Sequence, residues 1–180
     1  MVYLSHYQSP VCPLTLASDG EHLTGLWMDG QKYFLGSLAG CPTVDRPELP
    51  VLRETAAWLD RYFAGEQPDP LSLPLAPAGS GFRRLIWQLL LEIPYGSVTT
   101  YGALAEEAAR RLSRPTMSAQ AVGGAVGHNP ISIIIPCHRV VGASDSLTGY
   151  AGGLEKKIAL LTHEGVDVTR FFRPKTGTAL

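Results

Sequence analysis

Residues 66–80 read EQPDPLSLPLAPAGS, with prolines at 68, 70, 74 and 77. Proline lacks an amide hydrogen and fixes φ, so this stretch suits neither a helix nor a central strand. It reads as an extended linker between two units, residues 1–79 and 80–180. The whole chain has 180 residues and 19.4 kDa, room for one ordinary domain or two small ones. Apolar residues make up 45% of it, enough for a real core, so a wholly disordered chain is excluded.

On the N-terminal side of the linker, apolar runs alternate with turn signals. Residues 14–16, 23–28 and 33–38 read as consecutive strands, with Asp19-Gly20 and Asp29-Gly30 as hairpin turns, because glycine accepts positive φ. Residues 51–64 read as a helix: Leu52, Ala56, Leu59 and Phe63 recur at helical spacing, and Gly65 stands where a C-terminal cap belongs. The expectation is a small sheet with one covering helix.

On the C-terminal side, Phe82, Leu85, Ile86, Leu89, Leu90 and Ile93 form one apolar stripe of a helix over 81–93. Thr100 can cap a second helix over 101–112. After the turn Ser113-Arg114-Pro115-Thr116 comes a third, over about 118–127. Two short helices joined by a tight turn make a helix-turn-helix or a plain helical hairpin. The third helix reads SAQAVGGAVG, and each interior glycine costs about 1 kcal/mol relative to alanine. Close approach of another surface would explain them, and so would tight packing on a neighbouring helix. Residues 131–135 are a β-branched apolar run that predicts a buried strand, leading straight into Pro136-Cys137-His138-Arg139. A loop over 142–153 and a helix over 154–164, burying Leu154, Ile158 and Leu161, complete the unit; the tail from Pro174 reads as mobile. The fold class is therefore α+β, and no internal repeat is found.

The net charge of −1 conceals an asymmetry: residues 1–79 carry 4 − 9 = −5 and residues 80–180 carry 11 − 7 = +4. This is a mild pointer to an anionic partner for the second half, with chance scatter as the alternative. No apolar run reaches the length of a membrane span, and no signal or transit peptide is seen. Three scattered cysteines, Cys12, Cys41 and Cys137, make neither a disulfide framework nor a zinc motif, which suits a reducing cytoplasm.

Cys137 is the candidate nucleophile. An ordinary thiol is only a few per cent ionised at neutral pH, so a base must take its proton; His138 adjoins it, and Arg139 could add positive potential. The alternative is a buried inert cysteine. Glu164 ends a helix, where a negative charge opposes the macrodipole unless a cation or histidine compensates it. Asn129, before Pro130, is either a turn residue or an amide joining the third helix to the reactive loop.

The block Ile135-Pro136-Cys137-His138-Arg139-Val140 resembles the active-site signature of the O6-alkylguanine-DNA alkyltransferases, the methylated-DNA–protein-cysteine methyltransferases. PYGSVTTYGALA, AVGGAVGHNP, ISIIIPCHRVVG, TGYAGGL and LLTHEG follow the order and spacing of that family over the whole second half. The resemblance implies a ribonuclease H-like N-terminal domain and a C-terminal domain with a winged-helix-like helix-turn-helix. It implies that Cys137 takes the alkyl group from O6 of guanine in duplex DNA, once per molecule and without a cofactor. O4-alkylthymine stays open as a second substrate. His138 would take the thiol proton through a water, Glu164 would orient His138, and Asn129 would order the network. Tyr101 would bond the extruded base; Tyr101, Val140, Tyr150 and Ala151 would line the lesion pocket. Ser118, Ala119, Gln120, Ala121 and Gly123 would meet the DNA in the minor groove. Gln120 occupies the position where the family commonly has arginine, which implies weaker base flipping or DNA binding. Asp19 and Thr24 stand where some members bind zinc, so no metal is expected, and Cys12 and Cys41 are expected to be structural. The Cys-rich sensor domain of the adaptive-response proteins is not seen. The protein is expected to be a monomer. The competing reading is a lesion-binding alkyltransferase-like protein without transfer, against which Cys137 argues. A cysteine hydrolase, or a nuclease built on Asp19, Glu21 and Asp29, remains weaker.

Overall fold

The computed structural model describes residues 1–173 and divides them into two compact units. The expectation for the tail from Pro174 lies outside the described residues. The first unit is Met1–Ala78 together with Pro130–Ile134, and the second is Gly79–Asn129 together with the chain from Ile135 onward.

The first unit is a four-stranded sheet in the order β3-β2-β1-β4. The strands are β1 (Val2–Gln8), β2 (Pro13–Ser18), β3 (Leu23–Met28) and the short β4 (Thr43–Asp45). β1 and β2 pair antiparallel, as do β2 and β3, while β4 lies parallel to β1. Helix α1 (Pro50–Phe63) starts with proline at its first turn, where the missing N–H costs nothing, and buries Val51, Leu52, Thr55, Trp58, Leu59 and Tyr62. On β3 the indole of Trp27 lies over Gly25, whose added Cβ would meet the ring at 1.9 Å.

Two expected strands are absent. Residues 33–38 form turns and a short 3-10 segment, with Tyr33 and Leu35 at positive φ. Their place beside β3 is taken by other backbone. Leu23 N donates to Pro74 O at 2.8 Å and Ala76 N to Leu23 O at 2.9 Å. Leu26 N donates to Pro130 O at 2.8 Å and Ser132 N to Leu26 O at 2.8 Å. The proline-rich segment is thus partly an edge of the sheet, not a free linker. Residues 131–135 are buried as expected, but their pairing with β3 is confined to the two bonds flanking Ile131; Ile133 takes φ 69° and turns the chain. An apolar run shows burial, not extension, and here a five-residue insert must enter and leave within a short span.

The second unit contains α2 (Gly81–Leu91), α3 (Tyr101–Arg111), α4 (Ala119–Gly127) and α5 (Leu154–His163). Each of the first three is capped by a hydroxyl side chain, Ser80, Thr100 and Ser118, accepting a backbone N–H of the first turn. The indole N–H of Trp87 on α2 donates to Ala125 O on α4 at 2.9 Å. The two-residue strands β5 (Thr99–Thr100) and β6 (Val140–Val141) pair in parallel. They join the start of α3 to the end of the Cys137 turn. Leu161 of α5 packs with Val141, Leu147, Val166 and Phe171. Among the described residues, no helix is long and apolar enough to cross a membrane.

Candidate active site

Cys137, His138 and Arg139 form one 3-10 turn, all three buried. Asn129, just beyond α4, reaches this turn with its side chain. Its Nδ2 donates to Ile135 O at 2.8 Å and to Cys137 Sγ at 3.1 Å. One amide therefore closes the excursion over 130–134 and supplies a donor to the sulfur. Burial pushes the Cys137 thiol above its usual range; the Asn129 donor, the Lys157 charge and a Tyr150 hydrogen bond pull the other way without winning. At neutral pH the resting group is a thiol that needs a base.

His138 and Cys137, adjacent in sequence, share no hydrogen bond. The imidazole Nε2 instead lies 2.7 Å from Glu164 Oε1, with neither side chain exposed. A carboxylate acceptor places the proton on Nε2 and leaves Nδ1 as the basic lone pair. Nδ1 is buried with no protein partner, so it is the free base of the cluster. Burial holds the His138 pKa below its usual value against the pull of Glu164, so the imidazole is neutral. Glu164 caps the end of α5 and is itself held by Arg139, Nε to Oε2 at 2.8 Å and Nη2 to Oε1 at 3.0 Å. Burial alone would raise its pKa, but the bonds from His138 and Arg139 outweigh burial and keep it well below the carboxylate range. Arg139 Nη1 donates to Ile93 O at 2.6 Å. Arg139 thus clamps Glu164 instead of lending its field directly to the thiol, a correction to the sequence reading.

Tyr101, first residue of α3, is buried and donates its hydroxyl to Gly149 O at 2.6 Å. Burial and the nearby Cys137 raise its pKa, so it stays protonated. Gly149 has φ 79°, and an added Cβ would meet the Tyr101 hydroxyl at 2.5 Å. Val140 and Tyr150 are buried and Ala151 is half-buried on the same stretch. The expected catalytic and pocket residues therefore lie within this unit: Tyr101 on α3, Asn129 after α4, Cys137 and His138 on the 3-10 turn, Val140 on β6, Tyr150 and Ala151 before α5, and Glu164 at its end.

The α4 residues divide. Ser118, Ala119, Gln120 and Ala121 are exposed in the first turn. Gly123, also expected to meet the DNA, is buried, and a Cβ added at the next residue, Gly124, would meet nothing within 4 Å. Position 123 falls three residues after Gln120 but is buried, as are Val122 and Val126. Beside this turn a cleft of about 450 Å³ is lined by Gly102, Glu106, Arg110, Arg114, Met117 and others. The positive count of the second half overstates free cation. Arg110 and Arg111 pair with Glu107 and Glu92, Arg139 with Glu164, and Lys157 is buried. No group of three or more His, Cys, Asp or Glu among the described residues could hold a metal. Cys41 is exposed and Cys12 half-buried, so neither is a core residue.

Two family descriptions match. "6-O-methylguanine DNA methyltransferase, ribonuclease-like domain" covers residues 2–77, and its "DNA binding domain" covers 81–166. The Haemophilus influenzae methylated-DNA–protein-cysteine methyltransferase is 44% identical over 92% of this chain and 87% of its own length. The chain belongs to this family. The Methanosarcina acetivorans methyltransferase is 41% identical over 91% of this chain and 99% of its own. The solved structure of Mycobacterium tuberculosis OGT in complex with DNA superposes with a TM-score of 0.78 and 38% identity, covering 94% of each chain. An α+β methyltransferase with a ribonuclease-like first domain is therefore the fold as well as the family. Sequence reasoning missed the Arg139 clamp and Lys157 altogether. The signal for Lys157 was present: it follows Leu154 by three and precedes Leu161 by four, inside the apolar stripe of α5.

Proposed function

We propose that the chain repairs alkylated DNA directly by moving an alkyl group from O6 of guanine onto Cys137. The observation that carries this reading is the thiol held by the Asn129 amide beside a neutral histidine whose far nitrogen rests on a carboxylate. Family membership supports it independently.

The lesion lies inside the duplex, so the nucleotide must leave the stack, at a cost of a few kcal/mol that falls for mispaired bases. The exposed first turn of α4 is the DNA-facing surface, with Ser118, Ala119, Gln120 and Ala121 against the duplex. The extruded base sits among Tyr101, Val140, Tyr150 and Ala151. The thiol proton passes through a water to His138 Nδ1. The Cys137 sulfur then forms a bond to the alkyl carbon as the carbon–O6 bond breaks. Guanine leaves with the electron pair and takes up a proton, and the Tyr101 hydroxyl stabilises it. The product is a thioether, which water does not hydrolyse under mild conditions, so each molecule acts once and needs no cofactor. We read the protein as a cytoplasmic monomer.

The test is the intact mass of the protein after incubation with a duplex containing O6-methylguanine, alongside Cys137→Ser. One methyl per chain on the wild type and none on the variant is expected. Binding without mass gain would overturn transfer in favour of a lesion-binding role.

A further inference from the structure

Residues 142–149 run from β6 to Tyr150, so their conformation sets how far Tyr150 and Ala151 stand from Val140. Within this loop Ser144 and Asp145 hold φ at 55° and 57°, left-handed backbone that is strained for both. Non-glycine residues keep such backbone only where the surroundings over-determine it. Support from inside the loop is slight: Gly142 N donates to Ser146 O at 2.7 Å and Ser146 N to Ala143 O at 3.4 Å. The end of the loop is held by the Tyr101 hydroxyl on Gly149 O and by Lys157 Nζ, which donates to Thr148 O at 3.0 Å. Its middle is held by a segment beyond α5. Phe172 N donates to Asp145 O at 2.9 Å and Leu147 N to Phe172 O at 3.0 Å, a parallel bridge centred on Ser146. Phe171 is buried in one apolar cluster with Leu147, Val141 and Leu161, while the Phe172 side chain is exposed.

We propose that Phe171–Phe172 is a strap that sets the width of the alkyl pocket and so restricts the size of the group transferred. The Phe171 ring anchors the strap in the core, and the Phe172 backbone pins the loop on both sides of Ser146. A pinned loop holds Val140 and Tyr150, at its two ends, at a fixed separation. With the bridge broken, Ser144 and Asp145 relax out of left-handed backbone and the wall yields to a larger group, such as an arylmethyl. Phe172 acts through the loop and is a positioning residue. The inference rests on reading Cys137 as the alkyl acceptor.

The test compares wild type with Phe172→Pro, which removes the N–H that meets Asp145 O. Phe171 already has the extended backbone that a residue before proline prefers. Phe172→Ala, which keeps both backbone bonds, is the conservative control. Two quantities are read. Hydrogen exchange of the Gly142 and Leu147 amides should speed up about fivefold in Phe172→Pro, the equivalent of one lost backbone hydrogen bond. Each protein is also given an equimolar excess of two duplexes of one sequence, carrying O6-methylguanine and O6-benzylguanine, and the two Cys137 adducts are counted by intact mass. One methylene is discriminated about tenfold by an apolar pocket, so the benzyl-to-methyl ratio should rise about tenfold in Phe172→Pro. Phe172→Ala should keep the wild-type exchange and ratio. Unchanged exchange in Phe172→Pro overturns the proposal, and so does faster exchange with an unchanged or lower ratio. An equal shift in Phe172→Ala overturns it too, because the effect would then belong to the ring. Should Phe172→Pro fail to fold, an ester in place of the 171–172 amide, introduced by semisynthesis, removes the same N–H without fixing φ and is read in the same two ways. If wild type gains neither group, the repair reading itself fails; an active wild type with no shift in the variant removes the strap alone.

Discussion

His138 Nε2 and Glu164 Oε1 meet at 2.7 Å with no solvent on either side chain. The carboxylate fixes the imidazole tautomer, and Arg139 keeps the carboxylate ionised. Glu164→Gln preserves shape but removes the charge. General-base assistance is worth about 10²–10⁴ in rate, so single-turnover methyl transfer should fall at least a hundredfold. The buried Arg139 also loses its counter-charge, and breaking a buried pair from one side costs about 3–5 kcal/mol. Urea unfolding should show that loss. A variant that transfers methyl at the wild-type rate would remove Glu164 from the mechanism.

The same pair sets an acid limit. Both pKa values are lower in the folded chain than their ordinary values, 6.5 for His138 and 4.5 for Glu164. The unfolded chain then binds more protons at intermediate pH, so stability falls as pH falls. The loss should begin as pH drops below about 6.5, where His138 would be charged if unfolded, and steepen below about 4.5 as the Glu164 contribution is lost. Urea midpoints from pH 8 to pH 4 report this. His138→Gln should flatten the first phase and keep the second. A wild-type midpoint that rises between pH 7 and pH 5 would contradict the assignment.

Gly149 supports Tyr101 by having no side chain. Alanine there must hold φ 79° and place a Cβ 2.5 Å from the Tyr101 hydroxyl. Left-handed backbone costs alanine about 1–2 kcal/mol, and the clash adds to it. Gly149→Ala should lower stability by about 2–3 kcal/mol and slow methyl transfer. Tyr101→Phe removes the clashing oxygen. The double variant should therefore be more stable than the sum of the two single changes allows, because contacting residues are not additive. Strict additivity in thermal unfolding would show that the two do not compete for space.

Much of this was legible beforehand, and the failures have physical causes. Helices with a capping hydroxyl and an apolar stripe, such as α3 after Thr100, were read correctly because both signals are local. The 33–38 stretch was misread because a strand also needs a vacant edge. That edge of β3 is filled by Pro74, Ala76, Pro130 and Ser132, distant in sequence. The short pairing of β5 with β6 left no pattern to find, since two residues carry no period. At the site, the family signature made residue identities and the His138–Glu164 pairing visible, but not the partner of Arg139. Nothing in Cys137-His138-Arg139 says that the arginine turns to Glu164 and away from the sulfur. Lys157 was passed over because a lysine on an apolar stripe reads as a surface residue until its burial is seen.

Gln120 is the exposed residue most open to improvement. It sits on the first turn of α4, two residues after the Ser118 cap, with its side chain free to reach a duplex. Glutamine can hydrogen-bond, but it has neither the charge to neutralise a phosphate nor the planar cation that stacks where a base has left. Exposure means that arginine can be accommodated without repacking, so Gln120→Arg should leave thermal stability within about 0.5 kcal/mol. One added phosphate or stacking contact is worth about 1 kcal/mol or more, so methyl transfer on duplex DNA should rise about fivefold at limiting protein. The gain should shrink as salt is raised, because it is partly counterion release. On a single-stranded oligonucleotide, where no gap must be filled, rates should be nearly equal. Equal rates on the duplex at low salt would show that Gln120 does not limit base extrusion, and the slow step would then lie within the Cys137 cluster.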